Sequence, residues 1–229
     1  MLVSIIVPIY NEAATLPGFL EHLKVLRATD PNRIELVLVD GGSSDESVQK
    51  IEDAGLAYRH ADQGRAVQMN AGAQVARGNM LLFLHADTRI SSSAIAQARQ
   101  AIADGVVGGF FEVCLSSSRP LLRLVGRMIS WRSRLSGVAS GDQAIFVTRA
   151  AFDEVGGYAP LPLFEDVDLS RRLKRLGHFS AIAAAVITSA RRWENGGAIR
   201  TILRMWTLRV LYYCGFSPAR LKRYYGVAR

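Results

Sequence analysis

Residues 2–12 read LVSIIVPIYNE. The first eight are an almost continuous apolar, β-branched run, the pattern of a strand buried on both faces of a parallel sheet. The run closes on Pro8, Tyr10, Asn11 and Glu12. Beyond it, Leu16, Phe19, Leu20, Leu23 and Leu26 recur at helical spacing, with Pro17 tolerable only in a first turn. Residues 34–39 form a second buried strand, followed by Asp40-Gly41-Gly42-Ser43-Ser44-Asp45. Asp45 or Ser44 can cap the next helix, through Val48 and Ile51. A short strand at 57–60, a helix near 65–76 and a strand at 80–84 continue the series. This βαβαβαβ order predicts a doubly wound, mostly parallel α/β sheet, whose ligands bind beyond the carboxyl ends of the strands.

The second half is less regular. Residues 106–113 read as a strand, and residues 120–138 as an amphipathic helix. On that helix Arg123, Arg127, Ser130 and Arg134 fall on one stripe, with Leu121, Leu124, Val125, Met128 and Leu135 opposite. Residues 144–147 are a strand preceded by Ser140-Gly141-Asp142-Gln143, and Phe164-Glu165-Asp166-Val167-Asp168-Leu169 opens a helix to Leu176. A strand-like stretch at 183–190 precedes Arg191-Arg192-Trp193. In the tail, Ile199, Ile202, Leu203, Trp206, Val210 and Tyr213 make one helical stripe, and Met205, Leu208 and Tyr212 a second flank. A helix apolar around so much of its circumference needs more than one neighbour. Packing under the sheet or dimerisation is favoured, and contact with an anionic membrane surface stays open.

At 229 residues the chain suits one generous domain. Nearly half the residues are apolar, as in a folded soluble protein, and two cysteines, Cys114 and Cys214, cannot form a disulfide framework. With no basic leader and no apolar run of about 18 residues, a cytoplasmic location is expected, peripheral contact at the inner membrane face staying open. The net charge of +8 is uneven: from Arg191 onward nine Lys/Arg face only Glu194, so the first 190 residues are neutral. A nucleic-acid reader spreads its basic footprint over the reading surface, so no nucleic-acid partner is expected. The tail suits phosphates on a small ligand or anionic lipid.

Three polar strand ends fall along one predicted rim: Pro8 to Glu12, Asp40 to Asp45, and His85-Ala86-Asp87. In an extended chain His85 and Asp87 share a face, which can hold a cation or be an ordinary solvated strand end. Gly41 and Gly42 leave backbone amides open for close ligand approach. Glu165 and Asp166 at a helix start suit the macrodipole, and can equally take a proton from a hydroxyl. Arg191 and Arg192 can clamp a diphosphate or form a solvated pair, and Arg65 near a helix start can bind phosphate. Gly72 reads as a close-packing position, and His22, His60 and His178 as structural. No GxGxxG or GxxxxGK[ST] occurs.

In their order, P-x-Y-N-E, V-D-G-G-S-S-D, a strand ending x-x-D, and E-D-x-x-L-S-x-R, the motifs resemble those of family 2 glycosyltransferases of GT-A fold, over about residues 3–193. GRAVQMNAGA, HADT, GDQAIFV and SARRWENGG look like a bacterial subgroup named for arsenosugar biosynthesis or for radical-SAM and selenium-domain association. The resemblance implies a GT-A domain at 1–193, with basic, apolar C-terminal helices at 194–229 packed on it or at a dimer or membrane surface. It implies a metal-dependent, inverting transfer from a UDP-like nucleotide-sugar donor to a hydroxyl acceptor. Pro8, Tyr10, Glu12 and Asp40 then border the nucleoside, with Arg65 beside them. Asp87 ligates Mn²⁺ or Mg²⁺ on the donor diphosphate, and Asp166 is the base with Glu165 beside it. Arg191, Arg192, Trp193 and Asp142 meet diphosphate and acceptor. His85 departs from the family pattern, which more often has Asp there; imidazole suits Mn²⁺ better than Mg²⁺, so its ligand role is left open. A nucleotidyltransferase is a competing reading, but it wants a Gly- and Lys-rich loop where IYNEAATL stands; a non-catalytic nucleotide-binding module is the third.

Overall fold

Alternation along the first strand decides where the helices pack. β1 (Val3–Ile9) sends Val3, Ile5, Val7 and Ile9 to one face and Ile6 to the other, all five buried. The computed structural model describes residues 1–225; Arg229 of the basic tail, with residues 226–228, lies outside them. After β1 come α1 (Leu16–Thr29), β2 (Ile34–Asp40), α2 (Ser47–Asp53), β3 (Tyr58–His60), α3 (Arg65–Val75) and β4 (Met80–Phe83). These match the expected βαβαβαβ series. Next are β5 (Thr88–Arg89), α4 (Ser92–Ala103), β6 (Gly108–Leu115), α5 (Pro120–Ser136), a 3₁₀ turn (Gly141–Gln143) and β7 (Ile145–Thr148). The chain continues through α6 (Arg149–Glu154), α7 (Glu165–Leu176), β8 (Phe179–Thr188), α8 (Arg191–Gly196), α9 (Ala198–Tyr213) and α10 (Pro218–Tyr225).

The sheet order is β3-β2-β1-β4-β7-β6-β8-β5. β3, β2, β1 and β4 run parallel, β7 runs antiparallel to both β4 and β6, and β8 runs parallel to β6. Residues of α1, α2 and α4 (Leu20, Ile51, Ile95) pack on one face, and those of α3, α6 and α7 (Met69, Phe152, Leu173) on the other. Pro8 is tolerated in this central strand because the β1–β4 ladder ends at Ile6 and Phe83, so its missing N–H leaves no gap.

Several elements differ from the sequence reading, among them β5 and α6, which it did not contain. α4 was not foreseen: its buried side is Ala94, Ile95 and Ala98, too small to print a strong apolar stripe, although the Ser91 side chain accepts from the Ala94 N–H as an N-cap. α5 packs with a face opposite to the expected one. Leu122, Val125, Gly126, Ser130 and Ser133 go in, while Leu121, Leu124, Met128 and Leu135 stay exposed. The close approach of α5 to β6 explains this: a Cβ on Gly126 would stand 3.0 Å from the Val113 carbonyl, and Ser130 Oγ accepts from the Val113 N–H. In the tail, the second flank is the packed one. Leu208 of α9 and Leu221 of α10 join Val138, Leu163, Phe164 and Val167 at the start of α7, and Ile202 packs beside α5.

Gly72 has the packing role expected of it, since a Cβ there would stand 2.5 Å from Ile6 Cγ2 in β1. Gly72→Ala should therefore destabilise the fold by about 1–3 kcal/mol despite alanine's better helix propensity. Urea unfolding measures this, and an unchanged midpoint would contradict the packing account.

Candidate functional site

The carboxyl ends of β1 and β2 are stitched to each other. Asn11 takes a left-handed conformation (φ 53°), which lets its carboxamide accept from the Ser44 N–H at 2.8 Å while its own N–H donates to Ser43 Oγ. The Glu12 N–H donates to Ser47 Oγ and the Ala13 N–H to Asp45 Oδ2. Asp45 also accepts from the Ser47 N–H, but the N-cap of α2 is Glu46, whose side chain makes no capping bond, so neither Asp45 nor Ser44 stands at the cap as expected. Asp40 is fully buried at its base, where its carboxylate accepts from the Gly42 and Ser43 N–H groups. The Gly41 N–H donates to the Ile9 carbonyl, so the two glycine amides are occupied by the loop itself and are not open to a ligand as expected. Two supports were missed in the sequence. His60 Nδ1 stands 3.4 Å from Asp40 Oδ2, and buried Gln68 donates from Nε2 to the carbonyls of Ile9 and Val39. Gln68 was findable, because it shares the inward face of α3 with Met69, Gly72 and Ala73.

The end of β4 lies on the same edge of the parallel sheet. Ile9 pairs with Asp40, and Ile6 with Phe83 at the end of β4, after which the Thr88 N–H donates to the His85 carbonyl across the turn that carries Asp87. Two strand spacings, about 10 Å, separate β2 from β4 across β1. Thr88 Oγ1 donates to Asp87 Oδ1. His85 faces the 3₁₀ turn: its Nδ1 is 3.7 Å from Asp142 Oδ1, and a Cβ on Gly141 would stand 2.5 Å from its ring. The same turn receives α7, for Asp166 Oδ2 accepts from the Gly141 N–H at 2.5 Å and Oδ1 from the Val167 N–H at 2.7 Å. A cavity of about 10 Å³ lies between Phe83, His85, Gly141, Tyr158, Glu165 and Asp166. Asp168, third of the acidic cluster, turns away and pairs with Arg172 on its own helix at 2.7 Å.

Charge is arranged around this cavity. Burial, then repulsion from Asp166, pushes the Glu165 carboxyl up, against the pull of Arg65 and His85. Desolvation works to raise Asp142 as well, but the His85 hydrogen bond and charge, with Arg192 and Arg65, bring it down to about 2. Crowding opposes the charge on Arg65, yet Tyr225, Glu165 and Asp142 hold that guanidinium above its ordinary value. Phe164 precedes Glu165 with φ 67°, costly for a bulky aromatic, and is held there by burial and by the Tyr212 ring 4.7 Å away.

The arginines arrive from the second half. Arg191 reaches Glu12 Oε2 at 3.3 Å, tying α8 to the end of β1. Arg192 lies over the Tyr225 ring at 4.3 Å and donates to its hydroxyl. The Arg191-Arg192-Trp193 segment starts a helix rather than ending a strand, and Trp193 differs from expectation. It is buried among Leu115, Leu122, Val125 and Ala190, where it anchors α8 instead of offering an open face. Arg132 of α5 is an unforeseen cation. Burial and then Arg209 pull it down to about 10, against the attraction of Asp166, Tyr213 and Asp142. Its signal was helical phase, since Arg132 falls off the Arg123, Arg127 and Arg134 stripe. Tyr225 carried no signal, lying at the far end of the chain.

Among the described residues no three His, Cys, Asp or Glu side chains stand close enough to cage a metal. The donor set at the end of β4 fits another kind of site. Mg²⁺ or Mn²⁺ on a phosphate substrate is held by one or two carboxylates, with phosphate oxygens and water completing the shell, and Asp87, with His85 and Asp142 nearby, can supply those.

A family model described as glycosyl transferase family 2 matches residues 4–151. The chain belongs to glycosyl transferase family 2. A PGL/p-HBAD biosynthesis glycosyltransferase of Mycobacterium bovis is 41% identical over 91 residues, covering 37% of this chain and 34% of that one. An undecaprenyl-phosphate 4-deoxy-4-formamido-L-arabinose transferase of Aeromonas hydrophila is 30% identical over 117 residues, covering 47% of this chain and 36% of that one. The chain thus spans about a third of the length of the curated relatives it matches. In fold, this family 2 chain is similar to the mannosyltransferase PcManGT from Pyrobaculum calidifontis, solved with GDP-Man and Mn²⁺ (TM-score 0.68, 19% identity, covering 91% of this chain and 61% of that one). It is also similar to S. aureus TarS 1–349 in complex with UDP-GlcNAc (TM-score 0.66, 17% identity, covering 98% and 70%). The fold shared with these two structures is the GT-A architecture.

Because the folded state holds Glu165 up, it favours the protonated acid, and stability is lost as pH rises through the folded pKa. Glu165→Gln mimics that acid. It should raise the melting temperature at pH 8 by about 2–4 °C for a gain of about 1 kcal/mol. The advantage should shrink as the pH falls below the folded pKa, where wild type is protonated too. Calorimetry across pH checks this, and a variant less stable than wild type at pH 8 would contradict the assignment.

Proposed function

We propose that this family 2 protein is an inverting glycosyltransferase that moves a sugar from a nucleoside-diphosphate donor, UDP-like, to a hydroxyl acceptor. The observation that carries the reading is one juxtaposition. Asp166, from the second half of the chain, is tied to Gly141 beside His85, at the end of β4 that also carries Asp87, two strands from the end of β2 that carries Asp40. The relatives support the same direction, since those with printed activities are glycosyltransferases and two solved neighbours hold GDP-Man or UDP-GlcNAc. The finer subgroup likeness rests on the motifs GRAVQMNAGA, HADT, GDQAIFV and SARRWENGG.

In this reading the nucleoside lies over the stitched ends of β1 and β2, bordered by Pro8, Tyr10 and Glu12, with Asp40 as acceptor for its polar hydrogens. The diphosphate extends toward Asp87, Arg65, Arg191 and Arg192. Asp87 would hold a divalent ion there, whose contribution is to offset charge on the departing diphosphate. Arg65 and Arg192 act on the same charge as it develops, and fixed cations are most effective at that moment because they need no reorganisation. Asp142, kept ionised by His85 and the arginines, holds those side chains around the phosphate path.

Asp166 accepts the acceptor's hydroxyl proton. Its carboxylate is fixed by two backbone N–H groups, so it meets the nucleophile in one orientation. The oxygen then attacks the anomeric carbon on the face opposite the leaving diphosphate, and the configuration inverts. Glu165, whose carboxyl is pushed up by burial and by Asp166, lies beside the base. Phe83 and Tyr158 line the cavity and keep water from it. A non-catalytic nucleotide-binding module has no use for a carboxylate so oriented.

Asp166→Asn should lower kcat by about 10²–10⁴-fold, the usual contribution of a positioned base. Donor affinity, read by calorimetry with a UDP-sugar and Mn²⁺, should stay within about threefold, well under 1.4 kcal/mol. Turnover at the wild-type rate in that variant would remove Asp166 as base.

A further inference from the structure

Two neighbouring helices leave apolar stripes facing solvent. On α5, Leu121, Leu124, Met128, Trp131 and Leu135 recur at intervals of three and four residues, and Trp131 and Leu135 are 67% and 68% exposed. On α9, Ile199, Leu203, Trp206, Val210 and Tyr213 recur in the same way, with Ile199 67% and Trp206 61% exposed. Leu122, Val125 and Ile129 of α5 pack in one cluster with Trp193, Ala198 and Ile202, which sets the start of α9 against α5. Exposed apolar surface on this scale marks a docking face.

Charge decides between occupants. Neither α5 nor α9 contains an Asp or Glu, whereas α5 carries Arg123, Arg127, Arg132 and Arg134 and α9 carries Arg200, Arg204 and Arg209. Arg132 turns inward and Arg134 pairs with Glu112, but among the described residues Arg123, Arg127, Arg200 and Arg204 have no carboxylate partner. α10 adds Arg220, Lys222 and Arg223, all exposed. A two-fold contact between copies would set this patch against itself, arginine facing arginine. An anionic bilayer supplies what both helices lack. Leucine and tryptophan enter the acyl–headgroup boundary while arginines reach lipid phosphates, the composition of an interfacial helix.

We propose that α5 and α9 together form a surface that seats the protein on an anionic membrane. This goes beyond sugar transfer, although the face adjoins the candidate site: Tyr212 of α9 stacks on Phe164, the residue before Glu165. No helix among the described residues is long and apolar enough to cross a membrane, so the contact is peripheral through these helices.

The test is co-sedimentation of the full chain with vesicles of phosphatidylcholine, with and without phosphatidylglycerol. It requires no donor, so its outcome is independent of the transferase reading. Binding should be stronger by about tenfold or more with phosphatidylglycerol, and should fall at about 1 M salt, where the screening length is about 3 Å. Tryptophan emission should shift to the blue on binding, because Trp131 and Trp206 leave water. Trp131→Glu with Trp206→Glu should cut vesicle affinity about tenfold or more while far-UV circular dichroism is unchanged. If that double variant does not fold, the lipid and salt dependence of wild type decides. Absence of binding to phosphatidylglycerol vesicles at low salt would overturn the proposal. So would a dimer in light scattering that the same substitutions dissolve, because a second copy would then cover the face.

Discussion

The hydrogen bond from the Gly141 N–H to Asp166, with Gly141 packed against His85, brings the second half of the chain to the strand ends of the first. One half is a parallel sheet whose polar strand ends fall on a single edge because its strands run in one direction. The other is a mixed region where β7 runs antiparallel beside β4 and delivers the turn Gly141–Gln143 to His85. Without that contact, α7 would present its acids to solvent as an ordinary helix start. With it, a carboxylate is held by backbone donors at the place where the first half already gathers Asp87 and His85.

The rim is held by local cost as well as by bonds. Asn11, Ala144 and Phe164 are the non-glycine residues with positive φ among those described, and each stands beside this region. Asn11 is compensated by its bonds to Ser43 and Ser44, and Phe164 by burial against Tyr212. Strain of this kind persists only where the surroundings over-determine the backbone. Helix α9 is therefore more than a covering layer: its inward flank braces the residue from which α7 starts, and its outward flank is apolar and cationic.

Much of this was legible in the sequence, for physical reasons. Parallel strands buried on both faces print as apolar runs, so β1, β2 and β4 were plain, and with them the three strand ends that make the rim. Gly72 was legible because small residues inside a helix usually mean close approach. α5 was read in the wrong phase because its inward face is small and polar, with Gly126, Ser130 and Ser133 packing or bonding directly to β6, while its largest apolar residues face outward. Hydrophobicity reports what wants to leave water, and at a docking face that preference is met by something outside the chain. Arg132 and Tyr225 reach the site only through tertiary packing, which no local spacing encodes. The amides of Gly41 and Gly42 were misread for a related reason, since glycine permits close approach without saying whether the partner is a ligand or the loop itself.

The most direct measurement is a crystal structure of the full chain grown with UDP and Mn²⁺. The account predicts the nucleoside against Tyr10, Glu12 and Asp40, the ion on Asp87, and the diphosphate directed toward Arg65 and Arg192. Nucleotide bound away from the ends of β1, β2 and β4, or an ion held without Asp87, would contradict it.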